Sequence, residues 1–366
     1  MQSILSKYAE LLVNYCLEIQ EGDKFYVRST TLAEPLIREI YREALKAGAK
    51  QVEIDMSFRG KKRIFLQEAQ EHQLKAVSPS YQNAIENFHA YLVVRAPYNL
   101  REGQNNDQDK IKIYSAAHKH LNEPYFKRTA TRDLKRSLCQ YPTLASAQNA
   151  GMSLEEYEQF VFNACNLYAE DPKAEWLKVR KKQQGIVDHL NGKKQIHYKG
   201  EGIDITFGTE DRTWINSDGQ TNMPSGEVYT SPVENSVNGV INFSYPGLYM
   251  GNEVEGVTLW VKDGYIEKWE AKSGKAFLDK IFAMEGTRRF GEAAIGTNYN
   301  IQQMTKNILF DEKIGGTIHM AIGQSYMQCG GKNKSSVHWD MISDMTNGGE
   351  IFADGEKIYE NGKFLI

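Results

Sequence analysis

The residues "KFYVRSTTLAEPLIREIYREALKAGAKQVEIDMSF" (24–58) contain a strand pattern, a helix pattern and a second strand pattern in direct succession. The middle part has apolar residues at the 3.6-residue spacing of an amphipathic helix and ends at Gly48, a typical residue at a helix C-terminus. A strand, a helix and a strand with short connections predict a parallel sheet covered by helices. We therefore expect an α/β domain with a parallel sheet in the N-terminal half.

The sequence on either side of this unit extends the same prediction. Residues 4–19 have a helical pattern, and "AYLVVRAPY" (90–98) predicts a further strand. Neither GxGxxG nor GxxxxGK[ST] follows these strands, so a nucleotide site is not expected there. Residues 122–192 are predicted to be helical and to bridge two domains, with Ser153 and Glu156 at capping-box spacing. The first domain is therefore predicted to span residues 1–192.

The hydrophobic periodicity changes to two after about residue 193, which is typical of strands. One helix is predicted within this part, at "GKAFLDKIFAM" (274–284). Residues 193–366 are therefore predicted to form a second, largely antiparallel β domain of α+β type. Turn residues that predict hairpins are Asp263-Gly264, Asp354-Gly355 and Asn361-Gly362.

Length and composition limit the class of protein. A chain of 366 residues that is 41% hydrophobic suggests two domains, and a net charge of −3 argues against a general nucleic-acid partner. The N-terminal residues contain acids, and no apolar run is long enough to cross a membrane, so we expect neither a signal peptide nor membrane insertion. The four cysteines are far apart, which fits free thiols in a reducing cytoplasm.

A histidine and an aspartate lie two residues apart in "KSSVHWDMISDM" (334–345). In an extended chain His338 and Asp340 point to the same side, whereas Trp339 points the other way and is expected to pack in the core. The pair alone fits a metal site, half of a catalytic triad, or two polar residues at a strand end. The chain contains no GxSxG elbow to complete a serine triad, and no HExxH zinc helix.

Possible partners for this pair occur in three other segments of the second half. "NMPSGEVYTSPVENS" (222–236) contains Glu227, and "FGEAAIGTN" (290–298) contains Glu292. "LFDEKIGGTIHMAIGQSY" (309–326) contains further candidates, which are Asp311, Glu312, His319 and Tyr326. Taken singly, such residues are often a surface acid, a residue at a strand end, or a core histidine. Four of these acids and the two histidines form a ligand set that suits two divalent ions bridged by a carboxylate and a water, namely Glu227, Glu292, Glu312, Asp340, His319 and His338.

An ordered series of blocks resembles the thermophilic metallo-aminopeptidase family typified by aminopeptidases T, II and S. The resemblance covers about residues 140–345 in clear blocks and the α/β half more loosely. The blocks are "AQNAGMSLEEYEQFVFNAC" (147–165), "NMPSGEVYTSPVENSVNGVI" (222–241), "GEAAIGTN" (291–298), "HMAIGQSY" (319–326) and "HWDMI" (338–342).

This resemblance implies a cytoplasmic, homodimeric exopeptidase whose C-terminal domain is the metallopeptidase catalytic domain. The family motifs fall on Glu227, Glu292, Asp311-Glu312, His319, Tyr326, His338 and Asp340. In place of a shorter family loop of the "DENAS" kind this chain has "DEKIGGTIH" (311–319), which leaves the role of Glu312 open between metal ligand and general base.

The expected activity is hydrolysis of the N-terminal residue from a peptide with a free N-terminus, by a water molecule that two metals activate. The ions could be Zn, Co or Mn, because carboxylate and imidazole ligands suit all three. Glu292 is the expected bridging ligand, and Tyr326 is expected to stabilise the oxyanion or to complete a coordination sphere. The other expected ligands are Glu227, His319, His338 and Asp340. A metal-dependent amidase or esterase on small substrates and a metal-free binding or assembly protein remain as alternatives, and the side-chain preference stays open.

Overall fold

The computed structural model describes residues 2–366, and the chain packs into two compact units. Unit 1 comprises residues 2–173 and 219–224, and unit 2 comprises residues 174–218 and 225–366. The domain boundary expected between residues 192 and 193 stays a prediction about domain organisation.

A five-stranded parallel sheet forms the centre of unit 1, in the order β2-β1-β3-β4-β8. Its strands are β1 (Lys24–Thr30), β2 (Gln51–Ser57), β3 (Ala90–Arg95), β4 (Lys135–Gln140) and β8 (Asn222–Met223). Tyr26 of β1 and Tyr91 of β3 pack with Phe88 in a buried cluster. The predicted α/β class of the N-terminal half is therefore confirmed.

The helices of unit 1 follow the sequence pattern, with one difference in length. In the second helix Leu36, Ile37, Ile40 and Ala44 are buried on one face, and Gly48 adopts φ +89° just after its end. The first helix ends earlier than expected, because the chain forms a π-helical turn over Leu12–Cys16. The helices are α1 (Ile4–Leu11), α2 (Glu34–Lys46), α3 (Lys61–Glu68), α4 (Glu71–Leu74), α5 (Pro79–Asn87), α6 (Gln108–His118), α7 (Asn122–Ala130), α8 (Leu144–Ala150) and α9 (Leu154–Ala164).

The expectation that residues 122–192 are helical throughout is wrong for β4. This strand, "KRSLCQ", pairs with β3 in parallel although its short sequence has little apolar character. Tertiary pairing thus overrides a weak local preference. The capping box of α9 is confirmed, because the Glu156 amide donates to Ser153 Oγ at 3.2 Å and the Ser153 amide donates to Glu156 Oε2 at 2.7 Å.

Unit 2 is largely antiparallel β, as predicted for the second half of the chain. One sheet has the order β14-β13-β10-β6-β5-β18-β19-β20, a second has the order β17-β16-β15-β9-β7, and β11 pairs with β12. The strands are β5 (Gln195–Gly200), β6 (Ile203–Gly208), β7 (Ile215–Ser217), β9 (Glu227–Thr230), β10 (Asn238–Asn242), β11 (Gly247–Tyr249), β12 (Asn252–Val254), β13 (Thr258–Lys262), β14 (Tyr265–Glu270), β15 (Phe290–Gly296), β16 (Thr317–Gly323), β17 (His338–Asp344), β18 (Glu350–Ala353), β19 (Glu356–Glu360) and β20 (Lys363–Phe364).

Three helices complete this part of the chain. Residues from Ala174 onward of α10 (Pro172–Asn191) belong to unit 2, together with α11 (Lys275–Phe282) and the short α12 (Ile308–Asp311). The helix expected at residues 274–284 is thus confirmed. The three turn dipeptides connect β13 to β14, β18 to β19 and β19 to β20, so the predicted hairpins are confirmed as well.

One hydrophobic cluster joins the two large sheets of unit 2 with α10 and α11. Trp339 belongs to this cluster, is 2% exposed and stacks on Tyr249 with ring centroids 5.3 Å apart. The core position predicted for Trp339 is confirmed. Across residues 2–366, none of the helices combines the length and the apolar character that crossing a membrane requires.

Candidate metal centre

Three adjacent strands carry four of the predicted ligands on one face of the second sheet. Glu292 lies on β15, His319 lies on β16, and His338 and Asp340 lie on β17. The residues that alternate with them belong to the hydrophobic cluster of unit 2. Because side chains alternate along a strand, the polar residues point to the opposite face of the sheet. The period-two pattern thus brings ligands from distant segments together.

Small residues lie beside these ligands across the strands. Ala321 of β16 pairs with Glu292 on one side and with Asp340 on the other, so a row of two carboxylates has only a methyl group between them. The small side chain of Ala321 thus separates two of the proposed ligands. The other pairs of this kind are Ala294 with His319, Gly323 with His338, and Gly296 with Glu227.

Glu227 is placed by a tight turn and by a buried amide. Gly226 before it adopts φ +118°, and a Cβ atom there would come within 2.7 Å of Asn298 Cβ. The Gln183 side-chain amide, 1% exposed, donates to the carbonyl oxygens of Glu227 at 3.2 Å and Ser217 at 3.0 Å. These contacts fix the start of β9, and they explain why glycine precedes the glutamate.

Glu292 follows an irregularity in the pairing of β15 with β16, where the register shifts between Phe290 and Glu292. A Cβ atom on Gly291 would lie only 2.2 Å from the carbonyl oxygen of Gln324. Such a bulge changes the direction of a side chain, and only glycine allows the close backbone approach. The "GE" motif therefore has a steric cause.

The first ligand group consists of Glu227, Glu292 and His319, all of which are buried. His319 Nε2 lies 3.4 Å from Glu227 Oε2 and 3.7 Å from Glu292 Oε1. Neither ring nitrogen of His319 has a hydrogen-bond partner, and Glu227 Oε2 has none either. Buried polar atoms of this kind are costly unless they bind a partner, so the group fits a cation ligated by oxygen and nitrogen atoms.

The second ligand group consists of Glu292, His338 and Asp340. His338 Nδ1 lies 2.8 Å from the carbonyl oxygen of Gln324, which can only accept, so Nδ1 carries a hydrogen. This contact directs Nε2 toward the carboxylates, at 3.1 Å from Glu292 Oε2 and 3.5 Å from Asp340 Oδ1. A backbone acceptor on one ring nitrogen is the usual support for a histidine whose other nitrogen binds metal.

The pKa values of these groups also indicate that positive charge is needed here. Burial alone would lower the pKa of His319, but Glu292, Glu227 and Asp340 outweigh it and raise this pKa to about 9. For His338 burial is again opposed by Asp340 and Glu292, and its pKa rises to about 12. Burial acts to raise the pKa of Asp340, yet His338 and other cations hold it well below its usual value. Protons or metal ions must therefore neutralise the cluster, and its donor set fits divalent ions.

Glu312 comes near the cluster but belongs to neither ligand group. It follows α12 at the helix end, and its Oε1 contacts the Nζ atom of Lys313. Burial raises the pKa of Glu312 to about 8, while Lys313 opposes the shift and Glu227 adds to it. A carboxyl group in this setting can exchange a proton near neutral pH.

Tyr326 lies next to the second group, with its hydroxyl 3.2 Å from His338 Nε2. Its ring is packed edge-on against Tyr229, with centroids 5.3 Å apart, and its amide donates to Ser231 Oγ at 3.1 Å. The Glu292 carboxylate, together with burial, raises the pKa of Tyr326 well above its usual value. The phenol therefore stays protonated and can act as a hydrogen-bond donor.

Asp311, the other acid of the "DE" pair, forms hydrogen bonds within the protein and belongs to neither ligand group. It is 2% exposed, and its Oδ1 accepts hydrogen bonds at 2.8 Å from both the amide and the hydroxyl of Thr305. Two buried residues that contact the site, Lys313 and Gln183, are absent from the set predicted from the sequence. Lys313 follows the acid pair directly and could have been recognised as its counter-ion, whereas Gln183 lies on a basic helix with no local signal.

The chain is similar to known proteins over almost its whole length. The model of the family described as "Thermophilic metalloprotease (M29)" matches residues 1–364. Aminopeptidase 2 of Geobacillus stearothermophilus is 28% identical over 409 aligned residues, which cover 99% of this chain and 98% of that relative. Aminopeptidase T of Thermus aquaticus is 25% identical over 403 residues, with 99% and 98% covered. The solved structure of wild-type AmpT from Thermus thermophilus has a TM-score of 0.85 at 22% identity, covering 99% of both chains, and thus shares the fold.

The family match over the whole chain and the names of the relatives indicate a metal-dependent hydrolase. The chain belongs to the thermophilic metalloprotease family M29. The predicted family and the predicted enzyme class, a metallo-aminopeptidase, are therefore confirmed.

Proposed function

We propose that this protein releases the N-terminal residue of peptides with the help of two divalent ions. The observation that carries the proposal is that two ligand groups share Glu292. A carboxylate common to two groups can bridge two ions, and aminopeptidases are among the enzymes that use two ions about 3.5–4 Å apart. The relatives, all called aminopeptidases, support the same activity.

The five residues of the two groups would hold the ions. Each group offers one imidazole nitrogen and at least one carboxylate oxygen besides Glu292, and such mixed sets suit Zn, Co and Mn. Divalent ions at such a site polarise a carbonyl oxygen and lower the pKa of a water molecule. The ligands named here are Glu227, Glu292, His319, His338 and Asp340.

Glu312 is proposed as the general base and not as a ligand. Its carboxylate lies beside the cluster, where Lys313 contacts it, and outside both ligand groups. From this position it would accept the proton of the attacking water and return it to the leaving amine. Its position outside both groups thus supports the general base, one of the two roles that the sequence left open.

Tyr326 is proposed to stabilise the oxyanion of the scissile carbonyl. Its protonated hydroxyl lies 3.2 Å from His338 Nε2 and is therefore at the edge of the second ligand group. A fixed donor beside a developing negative charge lowers the barrier of acyl transfer. The packing of its ring on Tyr229 holds the hydroxyl in place.

Metal content and substrate choice together test this proposal. The apoprotein is reconstituted with Zn, Co or Mn, dialysed, and analysed for bound metal and for release of an amino acid from a short peptide. We expect two ions per chain, cleavage of the free peptide and no cleavage of its N-acetylated form. Glu292→Ala should lose metal and activity, and Glu285→Ala, at an exposed position of unit 2, should lose neither.

Three other results would point elsewhere. A wild-type protein that retains no transition metal contradicts the two-ion centre and favours a metal-free binding or assembly protein. Equal cleavage of the acetylated peptide, or cleavage of small amides and esters alone, favours the amidase or esterase alternative.

The homodimer and the cytoplasmic location stay predictions from the family resemblance, and light scattering of the purified protein would measure the oligomeric state.

A further inference from the structure

Lys313 is a fully buried lysine at the edge of the metal centre. Its side chain has 0% exposure, and its Nζ atom lies 3.3 Å from Glu227 Oε1 and also contacts Glu312 Oε1. An ammonium group without solvent is very unfavourable unless carboxylates neutralise it. Burial of the Lys313 ammonium group is therefore tolerated only while both carboxylates lie beside it.

Backbone hydrogen bonds also hold Lys313 in place. The Lys313 amide donates to the carbonyl oxygen of Phe310 at 3.0 Å, and the Lys313 carbonyl accepts from the Asn298 amide at 3.0 Å. Asn298 in turn donates its side-chain amide to the carbonyl oxygen of Ser225 at 2.9 Å. The lysine is therefore tied to the segment that precedes Glu227.

The two oxygens of Glu227 have different surroundings. Oε1 faces the ammonium group of Lys313, whereas Oε2 lies 3.4 Å from His319 Nε2 and has no hydrogen-bond partner. A carboxylate held at one oxygen presents the other in a fixed direction. Residues that hold a ligand in this way commonly change metal affinity or activity about 10–100-fold when they are removed.

We propose that Lys313 is a positioning residue that holds Glu227 for metal binding and Glu312 for proton transfer. This inference rests on the proposed function, because it assigns the two carboxylates to the ligand and the base. A lysine suits the position because it is a compact charge with three donors that can serve two carboxylates at once. Without it, the buried carboxylate of Glu227 and the partly buried carboxylate of Glu312 would repel each other.

The balance of formal charge agrees with this role. With neutral imidazoles, the carboxylates of Glu227, Glu292, Glu312 and Asp340 contribute four negative charges, which two divalent ions would cancel. Lys313 then leaves one positive charge, which a single anion can neutralise.

The variant Lys313→Met tests the proposal, since methionine has a similar length and no charge. We expect the affinity for the ion at Glu227 and His319 to fall about 10–100-fold in equilibrium titrations, with the other ion retained. The absorption spectrum of the Co-loaded protein should change, and kcat should fall more than KM rises. Lys193→Met is the matched control, because Lys193 pairs with Glu356 in the same unit and should leave all these quantities unchanged.

The metal-free protein provides a second measurement. Lys313→Met should lower its melting temperature by about 5 °C or more, because the carboxylates of Glu227 and Glu312 lose their counter-ion. The double variant Lys313→Met/Glu312→Gln should recover part of this loss. Unchanged metal affinity, spectrum and kcat, or a melting temperature that Glu312→Gln does not restore, would overturn the inference. If the wild type binds no metal, the proposed function fails, and the melting temperatures still decide whether Lys313 holds the two carboxylates.

Discussion

His338 Nε2 lies 3.1 Å from Glu292 Oε2, while the other oxygen of the same carboxylate faces a second imidazole, His319. Each of the remaining acids, Glu227 and Asp340, belongs to only one of the two ligand groups. We therefore expect Glu227→Gln and Asp340→Asn each to lose one ion and to keep the other. Metal analysis after dialysis against a metal buffer would give about one ion per chain for either variant and about two for the wild type.

The double variant is the internal control for this prediction. Glu227→Gln/Asp340→Asn should retain neither ion, because Glu292 and the histidines alone leave each site with too few ligands. Two ions bound to either single variant would mean that the groups do not represent separate ion sites.

The position of Ala321 between two proposed ligands leads to a second prediction. Ala321 is fully buried and lies between Glu292 and Asp340 in adjacent strands. Ala321→Val should place methyl groups where the ions bind and reduce metal affinity by about 10-fold or more, while the fold remains. Titration of the apoprotein with Zn or Co measures the effect.

Ala293→Val is the matched control for the valine at position 321. Ala293 is equally buried but belongs to the hydrophobic cluster on the other side of the sheet. Both substitutions overpack a buried position and are expected to cost about 1–3 kcal/mol of stability. Only Ala321→Val should change metal binding, so an equal loss in both variants would show that general strain is responsible.

The sequence predicts the arrangement of the ligands because strands impose a period of two. His338 and Asp340 could be assigned to one face, and Trp339 to the other, from their spacing alone. The β4 strand (Lys135–Gln140) could not be predicted in the same way, because its stability comes from pairing within the parallel sheet and not from its own residues.

The different contacts of Asp311 and Glu312 could not be predicted from the sequence either. Adjacent acids look equivalent in a sequence, but at the end of α12 Asp311 contacts Thr305 and Glu312 contacts Lys313. Gln183 is distant in sequence from the strands that carry the ligands, and only tertiary structure brings its amide to Glu227. Contacts of this kind depend on the fold as a whole, so local sequence patterns do not predict them.

Asp311 gives a prediction about stability and pH. Burial raises its pKa to about 6, although hydrogen bonds from Thr305 act to lower it, whereas an unfolded aspartate titrates near about 3.9. Since the folded state holds the proton more tightly, this group contributes stability that is complete below about pH 4 and is lost as the pH rises through about 6. The difference of about two pKa units corresponds to about 3 kcal/mol.

Asp311→Asn should remove this pH dependence, because an amide oxygen can still accept from Thr305 and carries no charge. Between pH 4 and pH 7 the wild type should lose about 2 kcal/mol of unfolding free energy relative to the variant, as measured by urea unfolding of the metal-free protein. Asp188→Asn, at an exposed position of the same unit, should follow the wild type. Parallel curves for the wild type and Asp311→Asn would exclude a raised pKa at this position.

Trp339 stabilises the strand that carries two proposed ligands, and it is not a ligand itself. It is 2% exposed, stacks on Tyr249 and contacts Phe277 with ring centroids 6.0 Å apart, although both of its neighbours in sequence are proposed ligands. Trp339→Ala should lower the unfolding free energy by about 3–5 kcal/mol, as expected for a large buried aromatic side chain, and Trp260→Ala at a half-buried position should cost less. Below its melting temperature Trp339→Ala should still bind two ions, because β17 keeps His338 and Asp340 on the other face. A folded Trp339→Ala protein without metal would instead mean that this packing is required to position the two ligands.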